Sequence, residues 1–253
     1  MLAPKPGLVD GRGAGAHCDM DLALMLRSAD ILEPWFGRLA DVSRHRSIDR
    51  KLRREVGEIG RQAEADMLAG TGGVNTHRGA LYALGLLVAG SAATGTSEPA
   101  SVAAAAGALA RLPDAGGGRQ PDSHGRWARR LAPHAGAARQ AQAGFPAVVD
   151  VALPALRGGR AKGAPEDVAR VDALLALMAE VDDTCLLFRG GAAGLSLVKA
   201  GAAGVLACGG AGTPAGGAAL LRLDRRLISH RLSPGGSGDL LAATLLLDRL
   251  CRS

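Results

Sequence analysis

A chain of 253 residues is long enough to bury a real core as one domain and short for two. Its formal charge of +6 invites an anionic partner, but the positives are dispersed and aromatics make up only 2% of residues, so a stacking platform for single-stranded nucleic acid has almost nothing to be built from. With 47% hydrophobic residues and no uninterrupted apolar run of about 18, composition points to a soluble globular class and away from a membrane span.

Ala and Leu dominate while Ile, Val and Thr are sparse, which favours helices over strands. The chain opens on Pro4-Lys5-Pro6-Gly7, an extended loop, and Met1 to Gly7 has no apolar stretch of the signal-peptide kind. Helices are then predicted near 19–33, 52–67, 78–89, 100–111, 124–142, 145–157, 168–178, 192–207, 216–229 and 238–250. The spacing of Leu52, Val56, Ile59, Ala63 and Met67, and of Val168, Val171, Leu174, Leu175 and Met178, is that of one helical face. Gly70 to Asn75, Ser91 to Pro99, Asp114 to Pro121, Gly190-Gly191 and Pro234 to Gly236 read as breaks. The expected architecture is an all-α single domain over 1–253, an array of roughly ten helices. Four cysteines, at 18, 185, 208 and 251, share no C-x-x-C spacing, which suits a reducing, cytoplasmic setting.

Five polar clusters sit at helix ends or in Gly-rich loops, where backbone N–H groups and side chains can meet a ligand. In Pro4 to Asp10, two prolines stiffen a loop around Lys5, a phosphate partner or simply a solvated lysine. In Gly15 to Asp21, His17 can carry a proton, and Asp19 reads equally as a helix cap. Glu64, then Thr71 through Gly79, is the strongest local signal: a helix bearing a carboxylate ends in a Gly loop, and the next begins with Asn75, Thr76, His77 and Arg78. Asn75 or Thr76 can serve merely as its cap. Asp182-Asp183-Thr184 places adjacent acids at a helix end, where the dipole is unfavourable and a bound Mg²⁺ would relieve the repulsion. A solvated acidic helix end is the plainer account, and Arg189 is near enough to pair with either acid. Finally, Leu232 to Leu241 is a Gly-rich turn feeding the last helix; it lacks the Walker pattern, Ser237 reads as its cap, and Asp239 reads as an acid favourable to the helix dipole.

In this order the five clusters resemble the triphosphoribosyl-dephospho-CoA synthase family: Pro-Lys-Pro-Gly-Leu-Val-Asp at 4–10, Gly-Ala-His at 15–17 with Asp19-Met20, Thr71 through His77, Asp182-Asp183-Thr184, Arg189-Gly190-Gly191 and Leu232-Ser233-Pro234-Gly235-Gly236-Ser237. The resemblance runs from position 4 to about 250 and is thin across 91–144. It implies an all-α transferase that releases adenine from ATP. The triphosphoribosyl unit passes to the ribose 2′-hydroxyl of 3′-dephospho-CoA, giving the prosthetic-group precursor of an acyl-carrier subunit. The wording of the second and third clusters leans to the malonate decarboxylase branch rather than the citrate lyase branch.

On that reading Lys5, Asn75, His77, Arg78, Arg189, Ser233, Gly235, Gly236 and Ser237 bind substrate, mainly its phosphates. Asp19, His17 and Glu64 are the catalytic candidates, and Glu64, Asp182 and Asp183 the Mg²⁺ ligands. The implied partners are ATP, 3′-dephospho-CoA, an acyl-carrier subunit and its prosthetic-group transferase, with neither nucleic acid nor membrane, and with room for a homodimer. Val181 and Cys185 flank the Asp-Asp-Thr core where the family commonly has asparagines, Arg231 replaces an Asn, Gly238 an Ala, and the family usually has a helix ahead of Pro4. These departures keep open a second reading, a homologue that binds nucleotide or a partner protein without turnover.

Overall fold

The computed structural model describes residues 2–114 and 136–252, and the fold is all-α. Among the described residues there are ten α-helices and no strand: α1 Leu22–Ser43, α2 Arg50–Gly70, α3 Arg78–Thr94, α4 Pro99–Arg111, α5 Ala137–Gln142, α6 Leu153–Ala161, α7 Glu166–Glu180, α8 Thr184–Ala207, α9 Pro214–Ser229 and α10 Gly235–Leu250. A π-helical turn, Ala147–Ala152, leads into α6. There Pro154 has no N–H to give to the preceding turn, which suits the locally widened helix.

Local chemistry sets the starts. Asp21 and Asp49 accept from Leu24 and Leu52 N–H at 2.8 Å each, and Glu98 accepts from Ala100 and Ser101 ahead of Pro99. Asp21, not Asp19, is therefore the cap of the first helix. The break expected over 91–99 is narrower, because α3 runs to Thr94, and the helix expected over 19–33 is longer, because α1 continues through Pro34 to Ser43. Of the helix expected over 124–142, residues 124–135 lie outside the described residues and 137–142 is helical.

Helix α3 is apolar on all sides, with Leu81, Ala83, Leu86, Leu87 and Ala89 buried, and it is the central strut. It packs on α1, α2, α4 and α10, while α7 packs on α6 and α8. Leu39, Leu87, Leu109, Leu174, Leu177 and Leu186 belong to a continuous core, beside which Leu32, Trp35, Ala63, Met67 and Leu81 form a smaller cluster between α1, α2 and α3. Helix α8 is long and apolar enough, by length and composition alone, to cross a membrane. It is broken at Gly191, whose φ of 59° belongs to glycine, so the break expected at 190–191 is present inside it.

Candidate active site

The N-termini of α3 and α10 converge because α3 and α10 pack side by side. A cleft of about 1470 Å³ opens there, bounded also by α2 and the N-terminal loop. The loop is pinned by a charge network: Arg12 bridges Asp10 and Asp224 at 2.7 Å each, and Gly7 N–H donates to Asp224 at 3.0 Å. Although burial opposes it, Arg12 and the N–H groups of Lys5 and Arg12 hold the Asp10 carboxyl below its usual range. This frame points Lys5 into the cleft. Burial lowers the Lys5 pKa, partly offset by Asp10.

Most of the sequence-predicted residues line this one cleft: Lys5, His17, Asp19, Glu64, Asn75 and His77, and with them Arg78, Arg189, Ser233, Gly235 and Gly236. His77 sits at the start of α3 with Nδ1 2.8 Å from Ser28 Oγ, which also reaches Thr76 Oγ1 at 2.6 Å. Burial, then the charge of Lys5, lowers its pKa. The cap position of α3 is His77, and Asn75, two residues ahead of it, accepts from Arg78 N–H at 3.2 Å. Arg78 pairs with Glu64, while its buried Nε has no partner among the described residues.

Across the cleft, His17 Nε2 lies 2.7 Å from Ser233 Oγ and Nδ1 lies 3.2 Å from Arg189 Nη2. Arginine only donates, so Nδ1 accepts and Nε2 carries the proton given to Ser233. Burial, then Arg189, lowers the His17 pKa against the pull of Asp19. Asp19 itself is exposed and 3.4 Å from His17, too far to orient the ring firmly.

The predicted Mg²⁺ ligands do not come together. Asp182 is exposed, pairs with Lys199 at 2.9 Å and does not line the cleft. Asp183 is buried and saturated: it accepts from Cys185 N–H at 2.8 Å, Ser237 N–H at 2.8 Å, Ser237 Oγ–H at 3.1 Å and Gly236 N–H. The unfavourable dipole inferred for this pair is reversed, because Asp183 caps the N-terminus of α8 and also receives that of α10. No cation is needed to tolerate it, and no group of three or more His, Cys, Asp or Glu side chains is poised for a metal among the described residues. Ser237 is likewise corrected. It is neither a cap, since α10 begins at Gly235 behind Pro234, nor a cleft residue, since its hydroxyl is spent on Asp183.

What the sequence understated is Asp239. It is half-buried in the first turn of α10, lines the cleft and accepts from Ala80 N–H. Burial, then the neighbouring Asp183, pushes its pKa up to about 8, so it holds a proton at neutral pH. A Cβ at Gly79 would collide with its carboxylate, so only glycine lets α3 approach this group.

Fold and cleft together define an all-helical enzyme whose site gathers cations, helix N-termini and a proton-bearing carboxyl around space for large anionic substrates. The model of the ATP:dephospho-CoA triphosphoribosyl transferase family matches residues 1–253, and the chain belongs to that family. A 2-(5″-triphosphoribosyl)-3′-dephosphocoenzyme-A synthase of Klebsiella pneumoniae is 52% identical over 250 residues, covering 98% of this chain and 89% of that protein. A relative described under the same activity from Stutzerimonas stutzeri is 50% identical, with 98% and 86% covered. A crystal structure from Archaeoglobus fulgidus, described as of a triphosphoribosyl-dephospho-CoA synthase, aligns with TM-score 0.61 at 18% identity over 88% of this chain and 96% of that one, and speaks for the fold.

Proposed function

We propose that this protein transfers the triphosphoribosyl group of ATP to the ribose 2′-hydroxyl of 3′-dephospho-CoA and releases adenine. The observation that carries the reading is the gathering of Lys5, His77, Arg189 and Asp239 in one cleft, with burial and the neighbouring Asp183 raising the Asp239 pKa. Cleaving the bond from C1′ to N9 of adenine leaves positive charge on the ribosyl carbon, and a proton must reach the leaving base. Asp239 donates it as general acid. His17, kept neutral by its lowered pKa, takes the proton of the 2′-hydroxyl on Nδ1, which gives up its contact with Arg189 as the new C1′–O bond forms. Lys5, His77 and the N–H groups opening α3 hold the triphosphate.

Mg²⁺ enters this proposal as the counter-ion that ATP brings, since Asp182 stands outside the cleft paired with Lys199 and Asp183 is taken up by N–H and O–H donors. The cell compartment we propose is the cytoplasm, in keeping with free thiols at Cys18, Cys185, Cys208 and Cys251. The product serves, on the same reading, as prosthetic-group precursor for an acyl-carrier subunit of the malonate decarboxylase branch, passed on by a prosthetic-group transferase. Neighbouring genes for malonate decarboxylase subunits would support that branch, and citrate lyase subunits would remove it.

The test of the activity is adenine release from ATP with and without 3′-dephospho-CoA, with mass detection of the adduct. Acceptor-dependent release supports transfer. Binding of ATP without release supports the non-turnover reading.

A further inference from the structure

The far end of the cleft contains a cationic cluster that the reading of the five motifs does not use. Along α2, Arg53, Gly57, Gly60, Arg61 and Glu64 recur at helical spacing and all line the cleft. Arg53 and Arg61 share one carboxylate, Asp114, at 3.3 and 2.9 Å. The Arg53 side chain is nine-tenths buried, 9% exposed, and its Nε has no hydrogen-bond partner among the described residues. Two guanidiniums meet one carboxylate there, beside the apolar side chains of Leu39, Val56, Leu86, Leu112 and Pro113 that also line the cleft. A Cβ at Gly57 would stand 2.5 Å from the Asp114 carboxylate, so a small residue is needed for the anionic group to reach the helix.

The chemistry of transfer calls for such a second cluster. In the donor, the reacting C1′ and the triphosphate stand on opposite sides of one ribose. In the acceptor, the reacting 2′-hydroxyl and the diphosphate bridge are again separated by one ribose. Two polyphosphates therefore flank the new bond, and each needs its own cations. From Arg53 to Leu68 the α2 wall spans about 22 Å at 1.5 Å per residue, enough to separate them.

Resting on the transfer reading, we propose that Arg53 and Arg61 form the subsite for the diphosphate bridge of 3′-dephospho-CoA, with Asp114 as the resident anion that the diphosphate displaces. The triphosphate belongs to the other end, where Lys5 and His77 meet the N-terminus of α3. The apolar wall beyond Arg53 suits the pantetheine arm, a weakly polar tail that ATP lacks. Guanidinium forks suit a diphosphate, whose oxygens accept in pairs.

The experiment is a calorimetric titration of 3′-dephospho-CoA into the wild-type protein and the Arg61→Gln and Asp114→Asn variants, beside the KM for ATP. Arg61→Gln is expected to weaken dephospho-CoA binding at least about tenfold and to leave the KM for ATP within about twofold. Asp114→Asn is expected to tighten dephospho-CoA binding, because the competing carboxylate is gone. A raised KM for ATP with unchanged acceptor affinity would overturn the proposal by placing the triphosphate at Arg61, and unchanged values for both would remove the subsite. If Arg61→Gln lowers the melting temperature, Asp114→Asn alone decides: tighter binding supports the subsite and unchanged or weaker binding overturns it. The titration needs no turnover, so dephospho-CoA that binds in this pattern without adenine release would sink the transferase reading and leave the subsite standing.

Discussion

The two ends of the cleft are built on different principles. At the α3–α10 end, polar groups are fixed by backbone: Asp183 takes three N–H groups and a hydroxyl, Asp239 takes Ala80 N–H, and Gly79 removes the atom that would keep them apart. At the α2 end, among the described residues, Arg53 and Arg61 pair with the side-chain carboxylate of Asp114 on a neighbouring segment. The first arrangement is preorganised, as chemistry at a reacting carbon requires. The second is an exchangeable ion pair, as binding and release of a charged substrate require. The difference teaches that rigidity is spent on the proton and adaptability on the phosphates.

The largest effect should come from the rigid end. Asp239→Asn is expected to lower adenine release by on the order of 10²-fold or more, because the general acid is lost. The same change should raise stability in alkali. The folded Asp239 pKa of about 8 lies above that of an unfolded carboxyl, so its contribution is full below the unfolded value and lost as pH rises through about 8. At pH 8.5 the wild type bears that cost and the Asn variant does not, and its Tm should be higher by on the order of a few °C. A variant both inactive and less stable at pH 8.5 would make Asp239 a structural group. In the wild type, kcat/KM should fall as pH rises through about 8, where the acid loses its proton. A rising limb at that pH would make Asp239 the base instead.

His77→Ala tests where the triphosphate lies. The KM for ATP should rise about tenfold while dephospho-CoA affinity stays, since one donor to a charged phosphate is lost. The opposite split would exchange the two ends of the cleft. Choice of acceptor sharpens the comparison further. A 3′-phosphate adds about two negative charges beside the incoming triphosphate, so CoA should be used at least about tenfold less well than 3′-dephospho-CoA. Equal kcat/KM for the two would mean that the 2′-hydroxyl is not where transfer occurs. The smallest effect belongs to Asp182→Asn, which breaks an exposed pair with Lys199 and should change neither Mg²⁺ dependence nor turnover by more than about twofold. A shifted Mg²⁺ dependence would restore Asp182 as a ligand.

The rigid end was the more legible in sequence. Lys5, His17, His77, Arg189 and Ser233 stand beside glycines and prolines, and such breaks advertise polar side chains that no helix pattern explains. Asp239 was visible as a residue but not as a proton carrier. Its shift depends on Asp183, 56 positions away by numbering, and on the space left by Gly79, and neither is a local signal. The reading of Asp182 and Asp183 failed for the complementary reason. Adjacent acids look like a repulsive helix end until the next helix is seen to begin on one of them. Arg53 and Arg61 were hidden by their surroundings, an amphipathic helix in which arginines are ordinary solvated residues. The helical class itself was plain from composition, whereas the continuation of α1 past Pro34 was not, because proline usually ends a helix that tertiary packing does not hold.

The carboxylate of Asp183 also gives the protein a built-in clock. The amides of Gly236 and Ser237 both reach that one group from α10, so neither can exchange its hydrogen with solvent until α8 and α10 part at their N-termini. Their exchange rates should therefore fall together, in step, and far below that of the exposed Gly72 on the opposite lip. Bound nucleotide that grips the start of α3 alone would leave that rhythm untouched, while one that reaches α10 would slow it, so two neighbouring amides report how deep a substrate sits.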